Sequence, residues 1–260
     1  QSVGQPLTHA LGVLYAEESL DGRLMVTASR DGTARVWDGH TGKPLTPPLK
    51  HRDFVLCARF SPDGQSVLTA SRDNTAQLWD PHTGQALLPR PLSHGGAVLA
   101  AEFSPDGRHV ATGSRDRTAR VWDEKTGEPA SPPLSHRSEV RSVQFSPDGA
   151  RLLTVSCETL ARLWDVQTGQ ELPISFRHAA AVTSAEFSAD GQWILTASHD
   201  RTAQIWDAQG GQPFGPPLQH EDKLVAARFG GEGRSIVTIT ESGSVTVWET
   251  NSFRPRIEPL

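Results

Sequence analysis

Cysteine is nearly missing: Cys57 and Cys157 are the only two in 260 residues. Neither belongs to a CxxC pair, so a disulfide framework and a cysteine-based zinc site are both excluded. Methionine and tyrosine occur once each. No apolar run approaches the ~20 residues that a membrane-spanning helix needs. Charge of one sign is lacking as well. Lys and Arg number 25 against 30 Asp and Glu, a net of −5, so the broad electrostatic drive toward nucleic acid is missing. No Gly-rich phosphate loop follows a strand pattern, and "DGRLMV" does not supply the ligand series of a calcium loop. These absences lead to the expectation of a cytoplasmic chain with no cofactor, no metal, no nucleic acid and no membrane partner.

Turn formers are plentiful, with 23 glycines and 19 prolines, which suits many short strands. The turns recur. Trp37-Asp38, Trp79-Asp80, Trp122-Asp123, Trp164-Asp165, Trp206-Asp207 and Trp248-Glu249 follow one another at spacings of 42, 43, 42, 42 and 42 residues. A histidine precedes each Trp by 28 residues: His9, His51, His94, His136, His178 and His220. "SPDG" stands at 61–64, 104–107 and 146–149, and "SADG" at 188–191. A fixed period of this length marks a repeat architecture. The six units, His9–Trp37, His51–Trp79, His94–Trp122, His136–Trp164, His178–Trp206 and His220–Trp248, fill residues 1–260 as one domain.

Each unit reads as four strands. After His51 come "FVLCARF", the turn "SPDG", "QSVLTAS", a turn at Arg72-Asp73-Asn74, then "TAQLWD", and after a loop "QALLPRPL". Apolar residues alternate with small or polar ones, as half-buried strands require. The last stretch is rich in proline, which donates nothing to a ladder, so it is expected at the sheet edge. Residues 1–9 resemble the end of a unit, so an upstream repeat in a longer parent is expected, and the C-terminal "NSFRPRIEPL" is expected to supply the last outer strand.

Period, histidine, tight-turn Asp and Trp-Asp ending together resemble the WD40 repeat in its bacterial form. The resemblance implies an all-β propeller of six four-stranded antiparallel blades around a central channel. It also implies a buried network in each blade. The candidates are His9, Ser29, Asp31 and Trp37; His51, Ser71, Asp73 and Trp79; His94, Ser114, Asp116 and Trp122; and His178, Ser198, Asp200 and Trp206. Thr27, Thr69, Thr112 and Thr196 compete with the serines for the hydroxyl position. The fourth and sixth units depart from the pattern, with Glu158 and Ser242 in the Asp slot and Leu160 where a Thr should follow. Ser, His and Asp together invite a hydrolase reading, but repetition in four units argues for structure. No catalytic residue is expected.

Family likeness implies a scaffold for protein or peptide partners, an associational warrant, in a monomeric module of a larger bacterial protein. The alternatives are a ligand-sensing domain of a signalling protein such as a kinase, a propeller enzyme, or a sugar-binding propeller. Arg30, Arg52, Phe54, Arg72, Arg115, Arg117, Arg137, His199 and Arg201 are expected on the face that bears the histidine loops. They form a candidate partner-binding surface with an exposed Phe and a preference for acidic partners. On the opposite side Trp193 fills a slot held elsewhere by Leu24, Ser66, His109, Arg151 and Ser235. It is either a contact or a cover for its own blade.

Overall fold

The computed structural model describes residues 6–231, 233–250 and 252–255. Among them there are strands and turns and no helix. The strands form six antiparallel sheets in chain order. The first holds β1 (Val13–Glu18), β2 (Leu24–Ser29), β3 (Thr33–Asp38) and β4 (Leu49–Lys50). The second holds β5 (Val55–Phe60), β6 (Val67–Ser71), β7 (Thr75–Trp79) and β8 (Leu92–Ser93); the third β9 (Val98–Phe103), β10 (His109–Ser114), β11 (Thr118–Asp123) and β12 (Leu134–Ser135). The fourth is β13 (Val140–Phe145), β14 (Arg151–Ser156), β15 (Leu160–Asp165) and β16 (Glu171–Arg177); the fifth β17 (Val182–Phe187), β18 (Trp193–Ser198), β19 (Thr202–Asp207) and β20 (Pro213–Gln219). The sixth is β21 (Leu224–Gly230), β22 (Ser235–Thr240) and β23 (Val245–Glu249).

The chain divides into two compact units. One runs to Ser135 and takes in Glu139–Val143; the other is His136–Ser138 with everything from Gln144 on. In the first unit β5 packs on β1 and β2, and β9 packs on β5 and β6. In the second β17 packs on β14, and β21 on β17 and β18. The second strand of a sheet has partners at both edges and neighbours on both faces. In β6 all five residues, "VLTAS", are therefore buried.

The outer strands follow from proline. β4, β8 and β12 each pair over two residues, and a single bridge, such as Trp37↔Pro44 or Trp122↔Pro129, joins the start of that stretch to the Trp. Prolines between these points interrupt the ladder. β20 carries Pro213, Pro216 and Pro217 and is the edge of its sheet. The sixth sheet has three strands, and the bridge Trp248↔Pro255 marks where its outer strand would begin. The stretch expected to form that strand lies, beyond Pro255, outside the described residues.

Two aspartates in each regular unit fold loops. In "SPDG" the Asp63 carboxylate accepts from the Ser61 hydroxyl and the Gln65 N–H; Gly64 follows at φ +70°, a left-handed position that suits glycine. The Asp of Trp-Asp turns away from the histidine. Asp38 Oδ1 accepts the N–H of His40 (3.1 Å) and the N–H and hydroxyl of Thr41 (both 2.7 Å), closing the loop to the outer strand.

Neighbouring repeats are fastened by the side chain eight residues after the histidine. Glu17 accepts the Phe60 N–H (3.0 Å), Gln144 the Phe187 N–H (2.8 Å) and Glu186 the Phe229 N–H. The role is to accept, which is why neutral Gln144 serves as well as a carboxylate. Two residues at the same position in other repeats are donors instead: Arg59 approaches Glu17 (3.7 Å) and Arg228 pairs with Glu186 (3.0 Å), each the acceptor of the repeat before.

Gly113 in β10 stands where other repeats have Ala28, Ala70 and Ala197. A Cβ at Gly113 would lie 2.9 Å from Val140 Cγ1 and 3.1 Å from the Val140 carbonyl oxygen. Gly113→Ala, harmless by analogy with its neighbours, is therefore expected to cost about 1–3 kcal/mol through overpacking. Denaturant melts of the two proteins check this, and equal midpoints would contradict it.

Candidate functional site

The histidine loops and tight turns meet at one end of each regular sheet. In the second repeat His51 Nδ1 lies 3.0 Å from Asp73 Oδ2, and Nε2 lies 2.7 Å from Thr69 Oγ1. Trp79 Nε1–H donates to the same hydroxyl at 2.8 Å. The pattern repeats at His9, His94 and His178 with Thr27, Thr112 and Thr196, and their tryptophans Trp37, Trp122 and Trp206. Donor and acceptor order follows. A carboxylate requires the proton on Nδ1, so Nε2 accepts from Thr, whose oxygen accepts from the indole.

Threonine, not serine, is thus the joining hydroxyl. Ser29, Ser71, Ser114 and Ser198 serve one step away, where each accepts the N–H of the turn Asp and donates to a carbonyl of the histidine loop. Register explains the choice. Trp37 pairs with Met25 and Arg35 with Thr27, so Thr27 is the indole's diagonal neighbour. Ser29 lies two residues further along, at the strand end.

Burial holds the imidazoles of His51, His94 and His178 below the ordinary histidine range, against the pull of Asp73, Asp116 and Asp200. They are neutral at pH 7, so these contacts are hydrogen bonds and not ion pairs. Burial disfavours the Asp116 carboxylate, but the Thr118 hydroxyl, the Gly95 N–H and His94 outweigh it and hold its pKa at about 2. The Thr–His–Asp order resembles a hydrolytic triad, yet Thr69, Thr112 and Thr196 are each 0 % exposed. A hydroxyl sealed under an indole N–H meets no substrate.

The fourth and sixth repeats lack this closure. Glu158 sends its carboxylate to the Arg137 N–H (3.0 Å), the Ser156 hydroxyl (3.0 Å) and Arg162 (2.7 Å). It stays 3.7 Å from His136. Neither ring nitrogen of His136 has a hydrogen-bond partner, although the side chain is fully buried. Burial first, then Arg162, lower its pKa to about 4. In the sixth repeat His220 Nε2 is also unpartnered, and Asp222 takes up the Ser242 N–H. Both repeats keep the indole bond, Trp164 to Thr154 and Trp248 to Thr238.

The arginines lie at the same sheet ends. In the first unit Arg30, Arg52, Arg72, Arg115 and Arg117 are exposed. Arg72 stacks on Phe54 at 5.3 Å, so Phe54 is half-buried under it rather than exposed. Arg115 pairs with Glu139 at 3.3 Å. Among the described residues Arg30, Arg52, Arg72 and Arg117 have no carboxylate partner. In the second unit Arg137 and Arg201 are exposed and His199 is half-buried. Arg117 and Arg201 sit at φ +70° and +72°, where the first repeat has Gly32. Such positions cost a non-glycine residue of order 1–3 kcal/mol. No group of three or more His, Cys, Asp or Glu among the described residues is arranged for a metal ion.

With the histidine–threonine–tryptophan network in view, comparison with protein families is decisive. A family model for the WD domain, G-beta repeat, matches residues 7–38, 42–80, 88–123, 131–165 and 170–207. The chain belongs to the WD40-repeat family. A comparison with curated proteins gives no match. The family match stops at Asp207, but the sixth sheet of this WD40 chain retains the Trp248–Thr238 bond. WD40 repeats form propeller scaffolds that typically mediate protein interactions and are generally non-catalytic.

One cluster escaped the repeat logic. Trp193 stacks on Phe214 (4.4 Å between ring centroids), and Phe214 contacts Phe253 (5.7 Å). Trp193 stands out from Leu24, Ser66, His109, Arg151 and Ser235 in its column. Its partner Phe214 lies on the outer strand, where irregular proline spacing obscures the register.

Proposed function

We propose that this WD40 chain is a non-catalytic scaffold that binds an acidic protein or peptide through the turns of its first three repeats, as a monomeric module of a larger bacterial protein. The observation that carries the reading is the set of exposed arginines without a carboxylate partner, with the Arg72 guanidinium carbon over the Phe54 ring, 5.3 Å from its centroid. Stacking orients the guanidinium fork without neutralising it, which leaves its donors for a bidentate carboxylate. Arg117 supports the same reading, since it occupies a left-handed turn position that glycine would fill with less strain.

The test is Arg72→Glu, titrated with a fluorescein-labelled hexaglutamate peptide and read by anisotropy. The exchange is expected to weaken binding at least tenfold, and added salt to weaken the parent's binding, since exposed charges are screened over roughly 8 Å at physiological ionic strength. The melting temperature is expected to stay within about 2 °C, as for a surface change. A large drop in melting temperature would make Arg72 a brace for its own repeat. Unchanged affinity would remove the interface.

A further inference from the structure

In the second unit, at the sheet ends opposite the histidine loops, three departures from the repeat converge on one cavity. After the second and fourth repeats the "SPDG" proline covers the turn glycine of the next repeat. Pro147 Cδ would lie 3.2 Å from a Cβ on Gly191, and Pro62 Cδ 3.8 Å from one on Gly107. The fifth repeat has Ala189 instead, and the corresponding glycine, Gly233, would meet nothing within 4 Å. Ala189 borders a cavity of about 260 Å³. Its apolar wall is Trp193, Phe214 and Phe229. The first two fill columns that hold Leu24, Ser66, His109 and Arg151, and Leu45, Leu87, Ala130 and Leu172, in the preceding repeats. Phe214 remains 42 % exposed.

One polar group in the lining is buried without a partner, and an exposed carboxylate stands at its mouth. Thr250 Oγ1 is buried and has no hydrogen-bond partner among the described residues. Asp190 Oδ1 takes the Ser188 hydroxyl and the Gln192 N–H, while Oδ2 has no partner among the described residues. The Ser188 hydroxyl and Gln192 N–H also hold its pKa below the ordinary carboxylate value. In the first and third repeats the equivalent Asp21 and Asp106 have Arg23 and Arg108 within 4 Å. The fifth repeat has Gln192 in that place.

The cavity is smaller than the roughly 300–1,000 Å³ of pockets for whole small molecules, so it suits a side chain. An anion would face Asp190. A purely apolar group would leave the buried Thr250 hydroxyl unmet and would gain nothing from the exposed Asp190 carboxylate at the mouth. A cation with N–H donors satisfies the carboxylate and the hydroxyl, and its charge is drawn to aromatic faces, most of all to Trp. We propose that this cavity binds the ammonium end of a lysine side chain presented by a partner peptide. The site is separate from the arginine turns and selects the opposite charge.

The experiment titrates the protein with N-acetyl-Gly-Lys-Gly-amide and with its norleucine analogue, which keeps the carbon chain and lacks the ammonium. The readout is the Trp193 indole N–H resonance, assigned by its loss in Trp193→Leu. The lysine peptide is expected to shift this resonance saturably, with the norleucine peptide at least fivefold weaker. Ala189→Pro restores the ring found in three other repeats and is expected to weaken binding at least tenfold without lowering the melting temperature. Phe214→Leu, the residue of three other repeats, is expected to weaken it similarly, and Asp190→Asn about fivefold. No saturable shift, equal binding of the norleucine peptide, or unchanged affinity in both Ala189→Pro and Phe214→Leu would overturn the proposal.

Discussion

His94→Ala is expected to lower stability by about 3 kcal/mol, and His220→Ala by about 1 kcal/mol. His94 bonds to both Asp116 (3.0 Å) and Thr112 (2.7 Å), and its side chain is fully buried. Removing it takes one of several donors from the Asp116 carboxylate and leaves the buried Thr112 hydroxyl without the acceptor for its proton. Each unsatisfied group costs about 1–3 kcal/mol, more when charged, and the emptied volume adds to that. His220 has no Asp in its turn, an unpartnered Nε2, and a less buried position. Little is stranded when it goes. Denaturant melts of the two variants at pH 7 decide the matter. Equal losses, or a larger loss at His220, would contradict the network as the source of stability.

His136→Phe is expected to be nearly neutral at pH 7 and to stabilise the protein at pH 4.5 by about 2–3 kcal/mol relative to the parent. His136 makes no hydrogen bond, so an apolar ring of similar shape gives up little. Its pKa is lowered from 6.5 to about 4 by burial and by Arg162. A group depressed in the folded state contributes stability above its unfolded pKa and loses it as pH falls toward the folded one. The loss therefore runs from about pH 6.5 to about pH 4. The parent's other buried histidines shift in the same direction and steepen both curves alike. The difference between parent and variant isolates His136, and parallel pH profiles would show that it does not titrate in this window.

Much of the fold was legible because each unit states it again. His51, Asp73 and Trp79 recur at constant offsets, and constant offsets within a repeat mean constant neighbours. The edge position of the outer strands was legible from Pro44, Pro47 and Pro48 and from Pro129, Pro132 and Pro133, since a residue without an N–H has no place in a ladder interior. The joining hydroxyl was not legible, because Thr69 and Ser71 both recur at constant offsets and both point to the same side of β6. Register decided between them by placing Thr69 within 2.8 Å of the indole and Ser71 beside the turn. The Trp-Asp carboxylate was equally opaque. Its partners are backbone N–H groups of the following loop, with the hydroxyl of a recurring threonine (Thr41, Thr126, Thr168) as the one trace in residue type.

By itself, then, the sequence determined the repeat, the all-β architecture, the strand order within each sheet, and which two repeats would lack the full histidine network. These depend on local periodicity and on short-range pairing, which one chain displays in full. Only the tertiary structure decided that Phe54 lies beneath Arg72, that Gln144 does a carboxylate's work toward the Phe187 N–H, and that Gly113 has no room for a methyl group. It also decided that Ala189, Trp193 and Phe214 enclose a single space. Each of these depends on residues from different strands or repeats, brought within a few ångströms by packing that no local pattern encodes.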